Sequence, residues 1–368
     1  MNMTDLVQKY NEWTTNLPKI RPFYAVKCND SLAVIKILSS LGCGFDCASM
    51  GEIKKVMSLG VSSDDIIYAN PAKPISHLQY AQKVGVKLMT FDSVTELEKI
   101  KKYFPDAKVV LRIRADAIEA NVPLGIKFGC EPEQAREVIA TAAKLQLNLV
   151  GFSFHVGTGC KEPGAYPRAI RIALSLIPTA NEFGYNLTIL DIGGGYPGDA
   201  SAGFYEISRL INECLEEENE HLNGLTLMAE PGRYFVCTAY KLATTVIGIR
   251  ETKNRVIYTI NDSIFGLFNC VKTESIFKIP KQLNKCRQGV LKSSAVWGHT
   301  QSIHDTLVDD CLLPDLTIGE WVVFDDMGSY SLCLQSRFQG CSLPPVHYMI
   351  TDEAWRVVSK NWRDTQNI

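Results

Sequence analysis

The chain has 368 residues, 46% of them hydrophobic, and a formal net charge of −2. That length and apolar content suit two packed domains of about 100–200 residues each, and near-neutral charge without a basic run argues against a nucleic-acid partner. No apolar stretch approaches the roughly 18 residues of a membrane span, and no basic-then-apolar leader opens the sequence, so the expected compartment is the cytoplasm.

From residue 23 to residue 229, strand-like and helix-like runs alternate. Phe23–Cys28, Gly44–Cys47, Ile66–Ala69, Lys87–Thr90, Val109–Ile113, Leu149–His155, Thr188–Ile192 and Leu225–Ala229 read as strands. Between them Leu32–Leu41, Gly51–Leu59, Ile75–Val84, Val94–Tyr103, Pro132–Leu145, Gly164–Phe183 and Gly203–Glu217 read as amphipathic helices. Eight strands alternating with helices predict a (β/α)₈ barrel over residues 1–233. After Arg233 the pattern turns β-rich, through Lys241–Arg250, Arg255–Ile260, Gly289–Val296 and Glu320–Phe324. This predicts an all-β C-terminal domain over residues 234–368.

Three segments carry chemistry-bearing residues. Lys27 sits in the apolar run Pro22-Phe-Tyr-Ala-Val-Lys-Cys-Asn29. A buried amine loses its charge readily and suits a nucleophile that condenses with an aldehyde, whereas a strand-end lysine that snorkels to solvent needs no such role. The glycines of Leu190-Asp-Ile-Gly-Gly-Gly-Tyr-Pro-Gly198 read either as backbone donors converging on a phosphate or as a plain strand-to-helix turn. Ala229-Glu-Pro-Gly-Arg-Tyr234 reads either as part of the same site or as a structural salt bridge at a turn. Lys27, Asp46, Arg112, His155, Gly193 and Glu230 fall at or just after strand ends, where barrels of this kind place their active sites. The 12 cysteines are scattered without a C-x-x-C pair, so reduced thiols and no metal site are expected.

Together with Phe154-His-Val-Gly-Thr-Gly-Cys160, these segments resemble the pyridoxal-phosphate-dependent ornithine decarboxylase family, which has an alanine-racemase-like fold. The resemblance runs almost end to end, through Gly44-Phe-Asp-Cys-Ala-Ser49, Ile67-Tyr-Ala-Asn-Pro71, Lys127-Phe-Gly129, Trp297-Gly298 and Asp326-Met-Gly-Ser-Tyr330. It implies that Lys27 carries pyridoxal phosphate, that His155 stacks on the cofactor ring and that Glu230 meets the ring nitrogen. Gly193, Gly194, Gly195, Thr158, Arg233 and Tyr330 would hold the phosphate, and Asp46, Arg112 and Gly232 would line the cofactor site. Lys127 and Asp305 resemble a pair that bridges the two subunits of a homodimer with shared active sites.

On the substrate side the chain departs from the family. Gln301 stands where the family has a proton-transferring cysteine, and Ser302 where it has an aspartate that recognises the substrate's distal amine. An amide is no general acid near neutral pH, and a hydroxyl cannot pair an ammonium by charge. Glu274 matches a second recognition aspartate with one extra methylene. Either His299 or His304 could supply the missing proton, although both also read as structural. Family chains also begin with a strand that joins the β-domain. Here Asp5–Trp13 reads as a helix, which predicts an exposed β edge.

Three functions remain open on these residues. The chain is a decarboxylase of a basic amino acid, most simply ornithine to putrescine for polyamine synthesis, weakened by Gln301 and Ser302. It is a pyridoxal-phosphate enzyme with a shifted substrate or outcome. Or it is a non-catalytic regulator resembling the antizyme inhibitors, with antizyme as a candidate partner.

Overall fold

The computed structural model describes residues 1–199, 203–274, 278–283 and 290–362. The chain divides into two compact units, Thr4–Phe235 with Thr351–Ile368, and Met1–Met3 with Val236–Ile350.

The first unit holds the expected barrel. Its strands in chain order are β1 (Ile20–Ala25), β2 (Gly44–Cys47), β3 (Ile66–Tyr68), β4 (Leu88–Phe91), β5 (Lys108–Ile113), β6 (Ala120–Val122), β7 (Asn148–Phe154), β8 (Thr158–Cys160), β9 (Ile189–Asp191) and β10 (Thr226–Ala229). All but β6 and β8 close into a barrel in the order β1-β10-β9-β7-β5-β4-β3-β2, every pair parallel. A parallel strand inside a ring of helices is buried on both faces, so it reads as a continuous apolar run, and every residue of β2 and β3 is buried. The outer helices bury one stripe each. Phe204, Ile207, Ile211, Cys214 and Leu215 do so on the helix Phe204–Glu217. Ser49 and Ser93 cap their helices by accepting from the N–H of Glu52 (3.2 Å) and of Glu96 (3.4 Å).

Residues 5–13 are helical as expected, within the helix Met3–Asn16. Trp13 anchors it, fully buried, its ring 4.8 Å from Tyr196 and 5.4 Å from Tyr234 and its Nε1 donating to Ile20 O at 3.0 Å. The helix expected over Gly164–Phe183 is two, Ala165–Ser175 and Ile177–Glu182. Pro178 explains the break, because its ring excludes the carbonyl four residues back and it has no N–H to give. The ribbon of β6 against β8 escapes the sequence pattern because both strands are only three residues long, too short for a period to show.

The second unit is a six-stranded sheet of β11 (Leu242–Glu251), β12 (Val256–Ile260), β13 (Lys281–Gln282), β14 (Lys292–Trp297), β15 (Thr306–Leu313) and β16 (Trp321–Phe324), in the order β13-β16-β11-β12-β14-β15. Among the described residues the N-terminus adds no strand to it, only a single bridge from Asn2 to Met349. β15 lies at an edge and carries the exposed Asp309 and Asp310, charges that discourage pairing with another chain. The helix Asp352–Trp362 groups with the barrel, unlike the expected division at residue 234. It buries Ala354 and Val358, and Thr351 N donates to Thr4 Oγ1 at 2.9 Å.

The described cysteines are all free, and no group of metal-ligating side chains occurs among the described residues. No helix is long and apolar enough to cross a membrane.

Candidate active site

The C-terminal ends of the barrel strands bring one cluster of side chains together. The strand expected over Phe23–Cys28 stops at Ala25, and the turn Val26–Cys28 lifts Lys27 off it. Lys27 Nζ pairs with the carboxylate of Asp46 at the end of β2. The Lys27 side chain is 39% exposed and that of Asp46 is 0% exposed, so the amine opens towards the barrel mouth from a carboxylate sealed beneath it. Arg112 on β5 lies with its guanidinium 5.0 Å from the Phe128 ring centre.

His155 follows β7 directly. Gly157 N donates to its Nδ1 at 3.0 Å, which leaves the ring proton on Nε2. Burial, with Arg112 and Lys27 adding to it, holds the imidazole well below its usual range, so it is neutral at physiological pH.

The glycine triplet follows β9 and packs against both neighbours. A Cβ on Gly193, at φ +63°, would stand 1.9 Å from Phe154 O. One on Gly194 would stand 2.8 Å from both His155 Nε2 and Glu230 O. Only glycine lets the backbone run this close. Asp191 Oδ1 accepts from Gly193 N at 2.9 Å, and Glu230 N donates to Gly193 O at 2.7 Å. The Glu230–Arg233 turn packs in turn on the lysine turn. Ala25 N donates to Pro231 O at 3.2 Å, and a Cβ on Gly232 would touch the Cβ of Cys28 at 3.0 Å.

Two buried carboxyl groups, Asp46 and Asp191, and the half-buried Glu230 thus share the site with two cations. Burial raises Asp46, against the pull of Lys27 and Arg112. It pushes Asp191 up to about 7 and raises Glu230 well above the carboxylate range, with Asp191 adding to the shift of Glu230. Asp46 Oδ1, Asp191 Oδ2 and Glu230 Oε1 are buried without a protein hydrogen-bond partner. Buried acceptors of this kind call for a donor, and at Glu230 the N–H of a protonated heteroaromatic ring fits, beside a backbone that no side chain fills. Asp191 was not singled out by the sequence reading. The signal available was an acidic residue closing an apolar strand ahead of three glycines.

Lys27, Asp46, Arg112, His155, the three glycines, Glu230 and Gly232 therefore converge. Thr158 opens β8, half-buried, and Arg233 opens the one-turn helix Arg233–Val236. The remaining expected residues, Lys127 apart, belong to the second unit. Tyr330 has a left-handed φ of +50°. Gln301 is exposed on the loop between β14 and β15, where Ser302 Oγ accepts from His304 N at 3.2 Å. Glu274 closes the helix Asn269–Glu274, and its side chain lies outside the described residues. Lys127 is exposed in the first unit, with Nζ 5.1 Å from the Phe128 ring centre. Asp305 is 1% exposed and held by its own unit. Its Oδ1 accepts from Ile264 N at 2.9 Å, and its Oδ2 from Thr300 N at 2.9 Å and Thr300 Oγ1 at 2.5 Å.

A parallel barrel with a lysine after its first strand, a glycine triplet after its seventh and a carboxyl after its eighth defines a class of barrel proteins built around pyridoxal phosphate. Residues 3–237 match the family model described as pyridoxal-dependent decarboxylase, pyridoxal binding domain. Antizyme inhibitor 2 of Xenopus laevis is 39% identical over 99% of this chain and 83% of its own length. Ornithine decarboxylase of Mus musculus is 36% identical over 98% of this chain and 82% of its own. The arginine decarboxylase of Paramecium bursaria Chlorella virus superposes with a TM-score of 0.91 at 36% identity, covering 95% of each chain. The chain belongs to the ornithine decarboxylase family, and pyridoxal phosphate is its cofactor.

Proposed function

We propose that this protein decarboxylates a basic amino acid, with ornithine to putrescine as the leading substrate and product, at a rate lowered by Gln301 and Ser302. One observation carries the reading. The Lys27 amine, its buried partner Asp46 and the partnerless Glu230 Oε1 meet at one end of the barrel, a cluster that a pure binding protein has no use for.

Pyridoxal phosphate supplies an electron sink for the pair left at Cα when carbon dioxide departs. The chain's own residues do the rest. Lys27 would hold the cofactor covalently, and Asp46 orients its amine. His155, neutral, would cover one face of the ring and exclude water from it. Glu230 holds a proton at the ring nitrogen, with Asp191 and Arg112 setting the charge around it. Gly193, Gly194, Gly195, Thr158, Arg233 and Tyr330 would hold the phosphate through backbone donors, a hydroxyl, a guanidinium and a phenol, with Gly232 beside them in the cofactor site. Glu274 and Ser302 receive the distal end of the substrate, and Lys127 belongs to the contact of a cytoplasmic homodimer, whereas Asp305, 1% exposed and held by Ile264 N and Thr300, does not reach it.

The likeness to an antizyme inhibitor supports a second reading, a regulator of polyamine synthesis without turnover that engages antizyme. Two measurements separate the readings. In the first, borohydride reduction of the purified, cofactor-loaded protein followed by peptide mapping locates the covalent label, expected on Lys27. In the second, carbon dioxide and diamine are quantified with ornithine, lysine and arginine. A labelled Lys27 with no carbon dioxide from any of the three substrates sinks the decarboxylase and leaves the regulator.

A further inference from the structure

Asp191 and Glu230 are fixed to the same residue of the barrel unit. Asp191 Oδ1 accepts from Gly193 N at 2.9 Å, and Glu230 N donates to Gly193 O at 2.7 Å. Met228, two residues before Glu230, is the partner of Asp191 in the parallel ladder of β9 and β10. This brings the two carboxyl groups within hydrogen-bonding reach of each other. Asp191 Oδ2 and Glu230 Oε1 are buried, and no donor among the described residues reaches either. Two carboxyl groups this close in a buried site cannot both ionise, and one proton held between them satisfies both. The charges that bear on the pair are Asp46 from β2, Arg112 from β5 and Lys27 from the turn after β1, and Tyr196 beside it stays a neutral phenol. With Asp191 at about 7 and Glu230 well above the carboxylate range, the pair holds a single proton at pH 8, and that proton sits on Glu230.

We propose that Asp191 is a positioning residue for the cofactor ring, the base that takes the proton of Glu230 when a protonated ring nitrogen arrives. The inference rests on the contact of Glu230 with that nitrogen proposed above, and not on turnover. A protonated Glu230 turns an O–H towards a nitrogen that already carries a hydrogen, so it cannot receive the ring. Passing the proton to Asp191 breaks one O–H bond and forms another. Glu230 becomes the carboxylate that accepts the ring N–H on one side and the new Asp191 O–H on the other. The proton stays inside the pair, so the site changes from donor to acceptor without exchanging a proton with solvent. Gly193 fixes the spacing, since its N–H holds Asp191 and its carbonyl holds the Glu230 backbone.

Calorimetry on the full chain freed of cofactor counts the protons. The ligand is 4-deoxypyridoxine 5′-phosphate, which keeps the ring nitrogen and the phosphate but has no aldehyde for Lys27, and its binding enthalpy at pH 8 is measured in buffers of different ionisation enthalpy. The native chain and Glu230→Gln should release the same number of protons, because the native pair keeps its proton and the variant has none to move. Asp191→Asn should release about one proton more than either, because burial still protonates Glu230 in the free variant and the proton then has only solvent to go to. The asparagine keeps an acceptor for Gly193 N, so the turn is preserved. Equal counts in the native chain and Asp191→Asn overturn the handover. So does a native count about one proton above that of Glu230→Gln, a comparison that stands even if Asp191→Asn does not fold. Glu230→Gln should also bind the analogue at least tenfold more weakly. Unchanged affinity in that variant removes Glu230 from the ring nitrogen and overturns the reading beneath the inference, whereas weakened affinity with the wrong proton counts overturns the role of Asp191 alone.

Discussion

Glu230 N and Gly193 O are joined by a 2.7 Å hydrogen bond, so the turn that presents a carboxyl and the turn that presents three glycines form one rigid piece. Gly194 completes it, running against His155 Nε2 and Glu230 O with no room for a Cβ.

Gly193→Ala should therefore damage fold and cofactor binding together. The new methyl meets Phe154 O at 1.9 Å in a left-handed backbone. We expect about 3 kcal/mol of lost stability in urea unfolding and at least a tenfold weaker cofactor affinity by absorbance titration. Gly203→Ala serves as the control. It is also left-handed, at φ +66°, but has nothing within 4 Å among the described residues, and should cost about 1 kcal/mol without touching cofactor affinity.

Asp191 should make stability fall with rising pH. Its folded pKa of about 7 lies above the ordinary 3.8, so the native state holds a proton that the unfolded chain has lost between those values. The stability it contributes is present below pH 3.8 and disappears as pH rises through 7, amounting at most to about 4 kcal/mol. Asp191→Asn in the cofactor-free protein should flatten the decline of the melting temperature between pH 5 and 8. An unchanged slope would show that the proton resides elsewhere, with Glu230 as the next residue to replace.

Lys73 is a buried cation that the sequence reading passed over. Its Nζ donates to Thr90 O at 2.6 Å and Asn70 O at 3.0 Å and lies 3.0 Å from Glu96 Oε1, while burial brings its pKa down to about 8. Lys73→Met leaves two carbonyls without their donor, although Lys99 still pairs with Glu96. Denaturant unfolding should show a loss of about 2–4 kcal/mol. A loss under 0.5 kcal/mol would mean that solvent reaches those carbonyls.

Restoring Gln301→Cys and Ser302→Asp together should raise kcat/KM for ornithine at least tenfold, chiefly because the aspartate returns a charge to meet the distal amine. Steady-state rates with ornithine and with norvaline, which lacks that amine, separate the two contributions. A gain shared equally by norvaline would assign the effect to position 301.

The alternation of apolar strands and amphipathic helices is local, so the sequence alone determined the barrel, its strand order in chain sense and the strand ends that carry Lys27, Asp46, Arg112, His155, Gly193 and Glu230. The glycine triplet was legible for the same reason, since contiguous glycines mark backbone that must run close to something. Tertiary structure alone decided what that something is. Phe154 O and His155 Nε2 lie far from the triplet in sequence and confront it only because β7 and β9 are neighbours in the barrel. It also decided that Lys27 leaves its strand, because the turn Val26–Cys28 packs on Pro231 and Gly232 rather than extending β1. The pairing of His299 with Cys341 spans 42 residues and two loops without periodicity. No local pattern encodes it, because loop conformation is set by the contacts a closed structure makes and not by the spacing of its side chains.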